Sequence, residues 1–469
     1  MPEVEQLLER AAGHAKAYLA NVHDRPVGAT LSGEQLRTLL GGNLPSDGSA
    51  PEMVLDALAA AAVRGTVATQ GGRYFGFVIG GSLPVTTAAD WMVSAWDQNG
   101  AGFAMSPLVS AVEDICAGWL RELAGLSPAW SVGFVTGCQM ANFTALAAAR
   151  HAVLEAAGWD VESNGLFGAP PVDVLVSEES HYTIHGALRL LGMGAERVRR
   201  VATDGQGRMR ADALEAALRG GEGPCIVCAQ AGNVNTGAFD PLDTIAAITQ
   251  ARGAWLHVDG AFGFWAAANE ALAPLVDGLA RASSIATDAH KWLNVPYDCG
   301  VVMCANASAH RRAMTLQAAY IVDHPLERDP REFVPEESRR ARAVPVYAAL
   351  RTLGREGLSQ LMGRCCTLAR RLADRVREHP AVTVLNDVVL NQVLLRVAAE
   401  GHDADALTRA TIAGVQQEGT CWLGGTTWHG MEAIRVSVSS WATTEDDVDR
   451  SAAAILRVAD ALIGRSQVP

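Results

Sequence analysis

Lysine is nearly absent from this chain of 469 residues, which contains only Lys16 and Lys291 among 38 lysines and arginines. Arginine carries the same charge but stays protonated, whereas a lysine amine can lose its proton and form a Schiff base. An arbitrary lysine usually lies on the surface without a chemical role. In a sequence that otherwise selects arginine, Lys291 within TDAHKWLN is a candidate reactive residue, and its neighbours must decide between the two interpretations.

Long apolar runs and an excess of positive charge are also lacking. No run reaches the roughly 18 apolar residues of a membrane span, and the N-terminal stretch has no signal-peptide pattern. The net charge of −13 disfavours a nucleic-acid partner and an anionic membrane surface. We therefore expect a cytoplasmic protein that acts on a small molecule, with neither a membrane nor a nucleic-acid partner.

The sequence offers little for a metal ion. It has nine cysteines, of which Cys225 and Cys228 form a CxxC motif inside the apolar run GPCIVCAQAG. This run is typical of a buried strand, where residues three apart point to opposite faces and make poor co-ligands. No second CxxC motif completes a zinc site. We therefore expect no metal and reduced thiols.

Short apolar runs alternate with longer helical segments from about residue 130 onwards. Strands that are apolar on both faces and alternate with helices are typical of a mostly parallel sheet covered by helices. The predicted strands span residues 130–136, 172–178, 223–230, 254–260, 283–288 and 299–305. Helices are predicted over residues 140–158, 211–220 and 242–253. The sequence thus predicts an α/β fold, and its 49% of hydrophobic residues can fill a large core.

The flanking segments have different patterns. Residues 3–22 place apolar side chains at helical spacing, which predicts an amphipathic N-terminal helix. Residues 323–345 are rich in proline and charge and are predicted to form a long loop. Beyond this loop, the apolar runs at 382–397 and 433–440 predict strands of a small α+β C-terminal domain.

Polar residues follow four of the predicted strands at the point where each strand ends. In open α/β sheets, ligands bind outside the carboxyl ends of the strands. His181 follows the second strand, Asp259 ends the fourth and Lys291 follows the fifth. After the first strand, the turn at 137–139 opens a helix. An imidazole, a carboxylate, an amine and a helix N-terminus are therefore expected at one edge of the sheet.

Pyridoxal phosphate requires these four groups together. A helix N-terminus presents free N–H groups and a positive dipole end to the phosphate. The carboxylate of Asp259 can keep the pyridine nitrogen protonated, Lys291 can form the covalent link, and His181 can stack on the ring. Each residue alone also has an ordinary interpretation, as a turn, a core histidine or a helix cap. Their combination at the strand ends favours a pyridoxal-phosphate site.

The motifs HVDGAFG and DAHKWLNVPYDCG, together with SHYTIHGALRLLG and GNVNTGAFDP, resemble those of the group II pyridoxal-phosphate-dependent amino-acid decarboxylases. This family includes the aromatic-L-amino-acid and glutamate decarboxylases. The resemblance covers most of the chain and implies the transferase fold type I, in a homodimer with its active site at the interface. It implies an N-terminal segment over 1–100, a large cofactor-binding domain over 101–345 and a small C-terminal domain over 346–469.

By position, the resemblance assigns roles to five side chains. Lys291 matches the Schiff-base lysine, Asp259 the partner of the pyridine nitrogen, and His181 the histidine that stacks on the ring. His290 matches a residue that contacts the phosphate. Ala261 would lie against the ring, where a larger side chain would crowd it.

Two segments depart from the family pattern. At the phosphate turn, which begins at Gly137, relatives carry Gly or Ala and then Ser or Thr where this chain has Cys138 and Gln139. The backbone donors of this turn remain, but a hydroxyl donor is lost. In the loop GNVNTGA, Asn233 or Asn235 would replace a threonine contact of the relatives, and the sequence does not choose between them.

The remaining candidates complete the cofactor and substrate site. Asp288 is expected at the cofactor because it ends the strand that precedes Lys291. Arg435 falls where relatives place an arginine near the substrate carboxylate, and a surface arginine is the alternative. Phe75 and Phe103 lie in segments expected to line the substrate pocket, which could admit aromatic or aliphatic side chains.

The cofactor supports several reactions and does not by itself name one. In the decarboxylases, protonation of the alpha carbon is attributed to a tyrosine on a mobile loop, and Tyr320 stands at the matching offset, 29 residues after Lys291. A phenol on a lid suits general-acid work from which water is excluded. The resemblance thus implies decarboxylation of an L-amino acid to an amine and carbon dioxide. A transaminase, an aldehyde-forming relative and a noncatalytic pyridoxal-phosphate-binding protein are the alternatives.

Overall fold

The computed structural model describes residues 3–316 and 327–465. The chain divides into two units, each described by itself. One comprises Met1–Ile79, Leu368–Leu385 and Val393–Pro469, and the other comprises Gly80–Thr367 and Asn386–Gln392. We call them the terminal unit and the central unit. The domain limits expected from the resemblance stay a prediction.

The central unit contains a seven-stranded sheet. Its strands are β1 (Ser131–Val135), β2 (Asp173–Ser177), β3 (Arg199–Val201), β4 (Cys225–Gln230), β5 (Trp255–Asp259), β6 (Ser284–Asp288) and β7 (Gly300–Cys304). They lie in the order β1-β7-β6-β5-β4-β2-β3. Strand β7 is antiparallel to both neighbours, and the other pairs are parallel. The predicted mostly parallel sheet is confirmed, and strand β3 is an addition to the prediction.

The helices follow the alternation expected of this architecture. In chain order they are α1 (Val4–Asn21), α2 (Gly33–Leu40), α3 (Pro51–Gly65), α4 (Pro84–Trp96), α5 (Pro107–Leu123), α6 (Cys138–Ala156), α7 (Val161–Asn164), α8 (Tyr182–Leu190), α9 (Ala211–Leu218), α10 (Leu242–Arg252), α11 (Ala307–Met314), α12 (Ala343–Arg377), α13 (Ala404–Glu418) and α14 (Glu445–Arg465). The backbone of Gly354 interrupts α12 with a positive φ of 60°. Among the described residues, no helix combines the length and the apolar character that a membrane crossing needs.

Helix α6 packs closely on the sheet because its inner face consists largely of alanine. Ala141, Ala145 and Ala148 are fully buried, in one cluster with Val135 and Ile226 of the sheet. Small side chains let the helix axis approach the strands, so short polar side chains on this helix can reach the strand ends. Every residue of β1 and of β4 to β7 is buried, which explains why these strands are apolar on both faces.

The first turn after β1 lies directly against the beginning of β7. A Cβ atom added to Gly300 would lie 2.4 Å from the carbonyl carbon of Gly137, which is well inside van der Waals contact. The register explains the contact, because Gly300 pairs with Val135 on one side and with Asp288 on the other. Two strand ends and the start of α6 therefore converge at Gly300.

The terminal unit contains a second, four-stranded sheet. Its strands are β8 (Val382–Val384), β9 (Gln392–Val397), β10 (Gly424–Trp428) and β11 (Met431–Ser437), in the order β10-β11-β9-β8. The small α+β domain predicted for the C-terminal region is confirmed, and β10 was not predicted. The described part of the predicted loop, residues 327–345, contains a short 3-10 turn over Pro330–Phe333 before α12 begins.

Candidate active site

The carboxyl edge of the central sheet brings together most of the predicted site residues. Asp259 and Asp288 end the neighbouring strands β5 and β6, and Lys291 follows in the loop after β6. Cys138 begins α6 directly after β1, and His181 precedes α8 after β2. Strand β5 is the fourth of seven, so the site lies over the middle of the sheet.

Asp288 is the centre of the polar contacts around Lys291. Its Oδ2 atom lies 3.0 Å from Lys291 Nζ, and its Oδ1 atom accepts a hydrogen bond of 2.6 Å from the backbone N–H of Cys138. The same Oδ1 lies 3.3 Å from His290 Nε2. Burial by itself lowers the pKa of Lys291, but the surrounding negative charges, that of Asp288 first, and the hydrogen bond to Asp288 together outweigh it and raise this pKa above its usual value.

Asp259 is held by the start of α6. Its Oδ2 atom accepts a hydrogen bond of 3.0 Å from Asn142 Nδ2. Its Oδ1 atom accepts from the backbone N–H of Ala261 at 3.1 Å and from the Cys138 thiol at 3.4 Å. Burial raises the pKa of Cys138, with Asp259 and Asp288 adding to the effect, so the sulfur keeps its proton and is a donor. The carboxylate is buried, with 6% of its surface exposed.

His290 is fixed beside the phosphate turn. Its Nδ1 atom accepts a hydrogen bond of 3.0 Å from the backbone N–H of Cys299, and its ring lies 4.2 Å from that of Tyr297 between centroids. Burial lowers the pKa of His290. A Cβ atom on Gly137 would approach His290 Cε1 to 3.1 Å, so the ring borders this turn.

His181 is placed by α8, whose N-cap it forms. Its Nδ1 atom lies 2.8 Å from Thr183 Oγ1, and its ring lies 4.4 Å from the ring of Tyr182. Gln139 is exposed, and its amide faces α8, where a Cβ atom on Gly186 would be 3.7 Å away. Its side chain therefore extends along the helix that carries His181.

The asparagine loop after β4 is internally bonded. Asn233 Oδ1 accepts from the backbone N–H groups of Asn235 at 2.9 Å and Thr236 at 3.2 Å. Its Nδ2 atom lies 3.5 Å from the carbonyl oxygen of Glu179, a long contact toward the segment before His181. Asn233 thus shapes the loop itself, and its contact to the cofactor stays a prediction.

The remaining predicted site residues belong to other segments of the chain. Phe103 belongs to the central unit, and its backbone N–H donates to Asp329 Oδ1 at 2.8 Å. Arg435 and Phe75 belong to the terminal unit. Phe75 is fully buried there, whereas Phe77 is 60% exposed. Tyr320 lies outside the described residues.

Sequence analysis did not identify Asn142 or His257, which extend the contacts of Asp259. His257 Nε2 lies 2.9 Å from Asn142 Oδ1, and both side chains are fully buried. The signal was present, because His257 stands two residues before Asp259 in an otherwise apolar strand and therefore points to the same face. Asn142 stands four residues after Cys138, one helical turn along α6.

The chain matches the pyridoxal-dependent decarboxylase conserved domain over residues 34–398. It therefore belongs to the pyridoxal-dependent decarboxylase family. This membership confirms three predictions: the cofactor is pyridoxal phosphate, the protein is a carboxy-lyase, and the reaction is the decarboxylation of an amino acid. The transaminase, aldehyde-forming and noncatalytic alternatives are not favoured.

Curated relatives span most of the chain. An aromatic-L-amino-acid decarboxylase of Bacillus atrophaeus is 28% identical over 378 residues, which cover 79% of this chain and 76% of the relative. An L-2,4-diaminobutyrate decarboxylase of Rhizobium meliloti (strain 1021) is 31% identical over 379 residues, which cover 77% of this chain and 73% of the relative. The human cysteine sulfinic acid decarboxylase is 29% identical over 357 residues, which cover 74% of this chain and 71% of the relative.

Solved structures share the fold at low sequence identity. The crystal structure of Oryza sativa TDC with PLP and tryptamine superposes with a TM-score of 0.91 at 22% identity, and covers 98% of both chains. Mouse CSAD in its apo form gives a TM-score of 0.90 at 24% identity, with 97% of this chain and 98% of that one covered. The predicted fold type I is confirmed.

The described residues fit the cofactor that the family requires. Gly137, the N-cap of α6, has no side chain to cap the helix; the Cys138 N–H donates to Asp288, and the N–H groups of Gln139 and Met140 remain for a phosphate. The carboxylate of Asp259 and the amine of Lys291 lie at the ends of adjacent strands. The donor lost from the usual turn sequence is a side-chain hydroxyl, and the backbone geometry of the turn does not depend on it.

The charge of Asp288 should control the protonation of Lys291 in the cofactor-free protein. Asp288→Asn removes the carboxylate 3.0 Å from Nζ, so the pKa of Lys291 should fall by about one pH unit or more. With Lys16→Arg as background, Lys291 is the only lysine, and 13C-labelled lysine gives one signal whose pH titration reports this pKa. The exposed Asp277→Asn is the control. Equal titration of Lys291 in the Asp288→Asn protein and its parent would contradict the assignment.

Proposed function

We propose that the carboxyl edge of the central sheet is the catalytic site of this decarboxylase. Lys291 would carry the cofactor, Asp259 would contact its pyridine nitrogen, and His181 would stack on its ring. The observation that carries the proposal is the convergence of one of only two lysines with two buried aspartates at adjacent strand ends. Gly137 and the first turn of α6, with His290 beside them, would hold the phosphate.

Pyridoxal phosphate, when bound, supplies an electron sink for the electron pair left behind when carbon dioxide departs. The protein's own contribution is positional and electrostatic. Asp288 Oδ2 holds Lys291 Nζ at the strand ends and favours its charged form, so Lys291 must lose a proton before it can react. Asp259 would place negative charge beside the ring nitrogen and keep that nitrogen protonated. Ala261, whose small side chain is half-buried next to Asp259, would leave room for the ring.

Arg435 is the proposed ligand of the substrate carboxylate. It lies in β11 opposite Gly424, and burial lowers its pKa. Arg435 is half-buried, and apart from burial the main contribution to its pKa comes from Tyr74 and not from a carboxylate. A half-buried arginine that no nearby carboxylate stabilises favours a ligand that supplies negative charge, which supports the proposal. Phe75, Phe103, Asn233 and Asp288 stay predicted contacts.

The protein is proposed to be a cytoplasmic homodimer. Helices α1 and α2 bury no residue, and α3 buries only Ala61. Their exposed apolar side chains are Val4, Leu8, Leu19, Leu39, Leu40, Met53, Val54, Leu58 and Val63. An apolar surface of this extent usually covers a partner, and we propose a second copy of the chain. Nine cysteines that are all free and buried support a reducing compartment.

Lys291 should be the only residue that carries the cofactor. Borohydride reduction of the holoenzyme followed by peptide mapping should place a pyridoxyl group on the Lys291 peptide. Lys291→Arg keeps the charge but cannot form the link, so the label should disappear. Lys16→Arg is the matched control and should keep it. A label on Lys16, or on no lysine, would overturn the proposed site.

Tyr320 is proposed, from its sequence position, to protonate the alpha carbon. Tyr320→Phe removes one hydroxyl group, so cofactor binding should be little changed while amine release falls by roughly two orders of magnitude or more. The wild type should release amine and carbon dioxide in equal amounts. In air, the variant should release aldehyde, ammonia and hydrogen peroxide in place of amine. Amine release at the wild-type rate would exclude Tyr320 as the donor.

The arm formed by α1 to α3 should stabilise the dimer. Leu58 is 53% exposed in α3, and Leu58→Glu places a charge on the proposed interface. Sedimentation velocity should show a dimer for the wild type and a shift toward monomer for the variant. Phe167→Glu is the control, because Phe167 is 98% exposed outside the arm, and it should stay dimeric. A wild-type protein that sediments as a monomer would refute the proposal.

A further inference from the structure

Behind Asp259 runs a continuous line of buried polar side chains. Trp255 Nε1 donates to Ser284 Oγ at 2.8 Å, and Ser284 Oγ lies 3.0 Å from His257 Nδ1. His257 Nε2 lies 2.9 Å from Asn142 Oδ1, and Asn142 Nδ2 donates to Asp259 Oδ2 at 3.0 Å. Ser284, His257 and Asn142 are fully buried, so the line is shielded from water.

The hydrogen bonds along this line can point in only one direction. A carboxylate accepts hydrogen bonds, so Asn142 must turn its NH2 group toward Asp259 and its oxygen toward His257. His257 Nε2 must then carry a proton and donate it. Burial lowers the pKa of His257 to about 4, despite the opposing charge of Asp259, so the ring is neutral and Nδ1 accepts from the Ser284 hydroxyl. Every donor in the line is therefore directed toward Asp259.

Asn142 is also linked, through Thr183, to His181, the residue proposed to stack on the cofactor ring. Its Nδ2 atom lies 3.5 Å from Thr183 Oγ1, a weak contact, and Thr183 Oγ1 lies 2.8 Å from His181 Nδ1. The second carboxylate oxygen of Asp259 is held separately by Cys138 and Ala261. The Asn142 amide thus contacts both Asp259 and, through Thr183, the His181 side of the site. Cys138, on the same face of α6, also contacts Asp259.

We propose that Asn142 is a positioning residue, which neutral His257 orients so that Asp259 points its carboxylate at the pyridine nitrogen of the cofactor. The inference rests on the proposed role of Asp259. An amide between two buried groups fixes orientation better than water does, because it can neither rotate nor leave. Removing Asn142 should therefore loosen Asp259 and leave the His257 N–H without an acceptor.

The effect of Asn142 on the contact between Asp259 and the ring nitrogen can be isolated by comparing the binding of pyridoxal phosphate with that of an analogue that lacks this nitrogen. Pyridoxal phosphate and its 1-deaza analogue share the aldehyde and the phosphate, and differ at the ring nitrogen that Asp259 would contact. The ratio of their dissociation constants for the full-length, cofactor-free protein, followed by tryptophan fluorescence, reports that single contact. In the wild type, pyridoxal phosphate should bind more tightly. Asn142→Leu, which is close in size, should reduce the preference about tenfold, the usual range for a lost charge-assisted hydrogen bond.

His257 provides a second, graded test that does not depend on the folding of Asn142→Leu. His257→Leu should reduce the preference as well, whereas His257→Gln, whose amide N–H can replace Nε2–H, should restore much of it. Thr144→Val is the matched control, because Thr144 is a buried polar residue of α6 whose hydroxyl bonds, among the described residues, only within the helix, to the Met140 carbonyl oxygen at 2.8 Å. It should leave the preference unchanged.

Asp259→Asn separates this inference from the function on which it rests. If Asp259→Asn keeps the wild-type preference, the proposed contact of Asp259 with the ring nitrogen is wrong. If Asp259→Asn abolishes the preference but His257→Leu and Asn142→Leu keep it, the contact stands and the positioning role is wrong. A loss of preference in Thr144→Val equal to that in Asn142→Leu would also overturn it, since any buried polar change in α6 would then suffice.

Discussion

A single buried carboxylate, that of Asp288, ties together the elements of the active site. It accepts from the backbone of Cys138 at the start of α6, pairs with Lys291, and lies beside His290. Leaving such a charge buried without partners costs several kcal/mol, about 3 to 5 in measured cases. This free energy opposes any separation of the start of α6, the end of β6 and the loop that carries Lys291.

A second constraint is the distance between helix and sheet. The alanines at 141, 145 and 148 bring α6 so near to the strands that two short side chains, Cys138 and Asn142, reach Asp259 directly. A helix with leucine at these positions would stand farther off, and only long, flexible side chains could then span the gap. Long side chains lose more conformational entropy when they are fixed. The alanine-rich composition thus serves the accuracy of the site as well as the packing of the core.

The sequence allowed the sheet and the strand-end residues to be predicted, because apolar periodicity and chain order determine both. Strand β3 was not predicted because Arg199 and Arg200 are exposed and only Val201 is buried, so the strand contains no apolar run. Asn142 and His257 were not identified from the sequence for another reason. Their spacing from Asp259 and Cys138 is a local signal, but it does not reveal the hydrogen bond between them, which joins positions 115 apart in the chain. Residues defined by where the chain ends a strand are predictable; residues defined by their tertiary partner are not.

The close approach of Gly137 and Gly300 has a consequence for how this site can change over evolutionary time. The turn that opens α6 is set by main-chain atoms, through that contact and through the bond from the Cys138 N–H to Asp288. The side chains of Cys138 and Gln139 are therefore not needed to hold the turn itself, although the Cys138 thiol contacts Asp259. A side chain at Gly300 would clash with the main chain of Gly137, so this glycine should tolerate substitution less well than Cys138 or Gln139. Variation in this turn is therefore a poor guide to whether a member of the family has kept its chemistry.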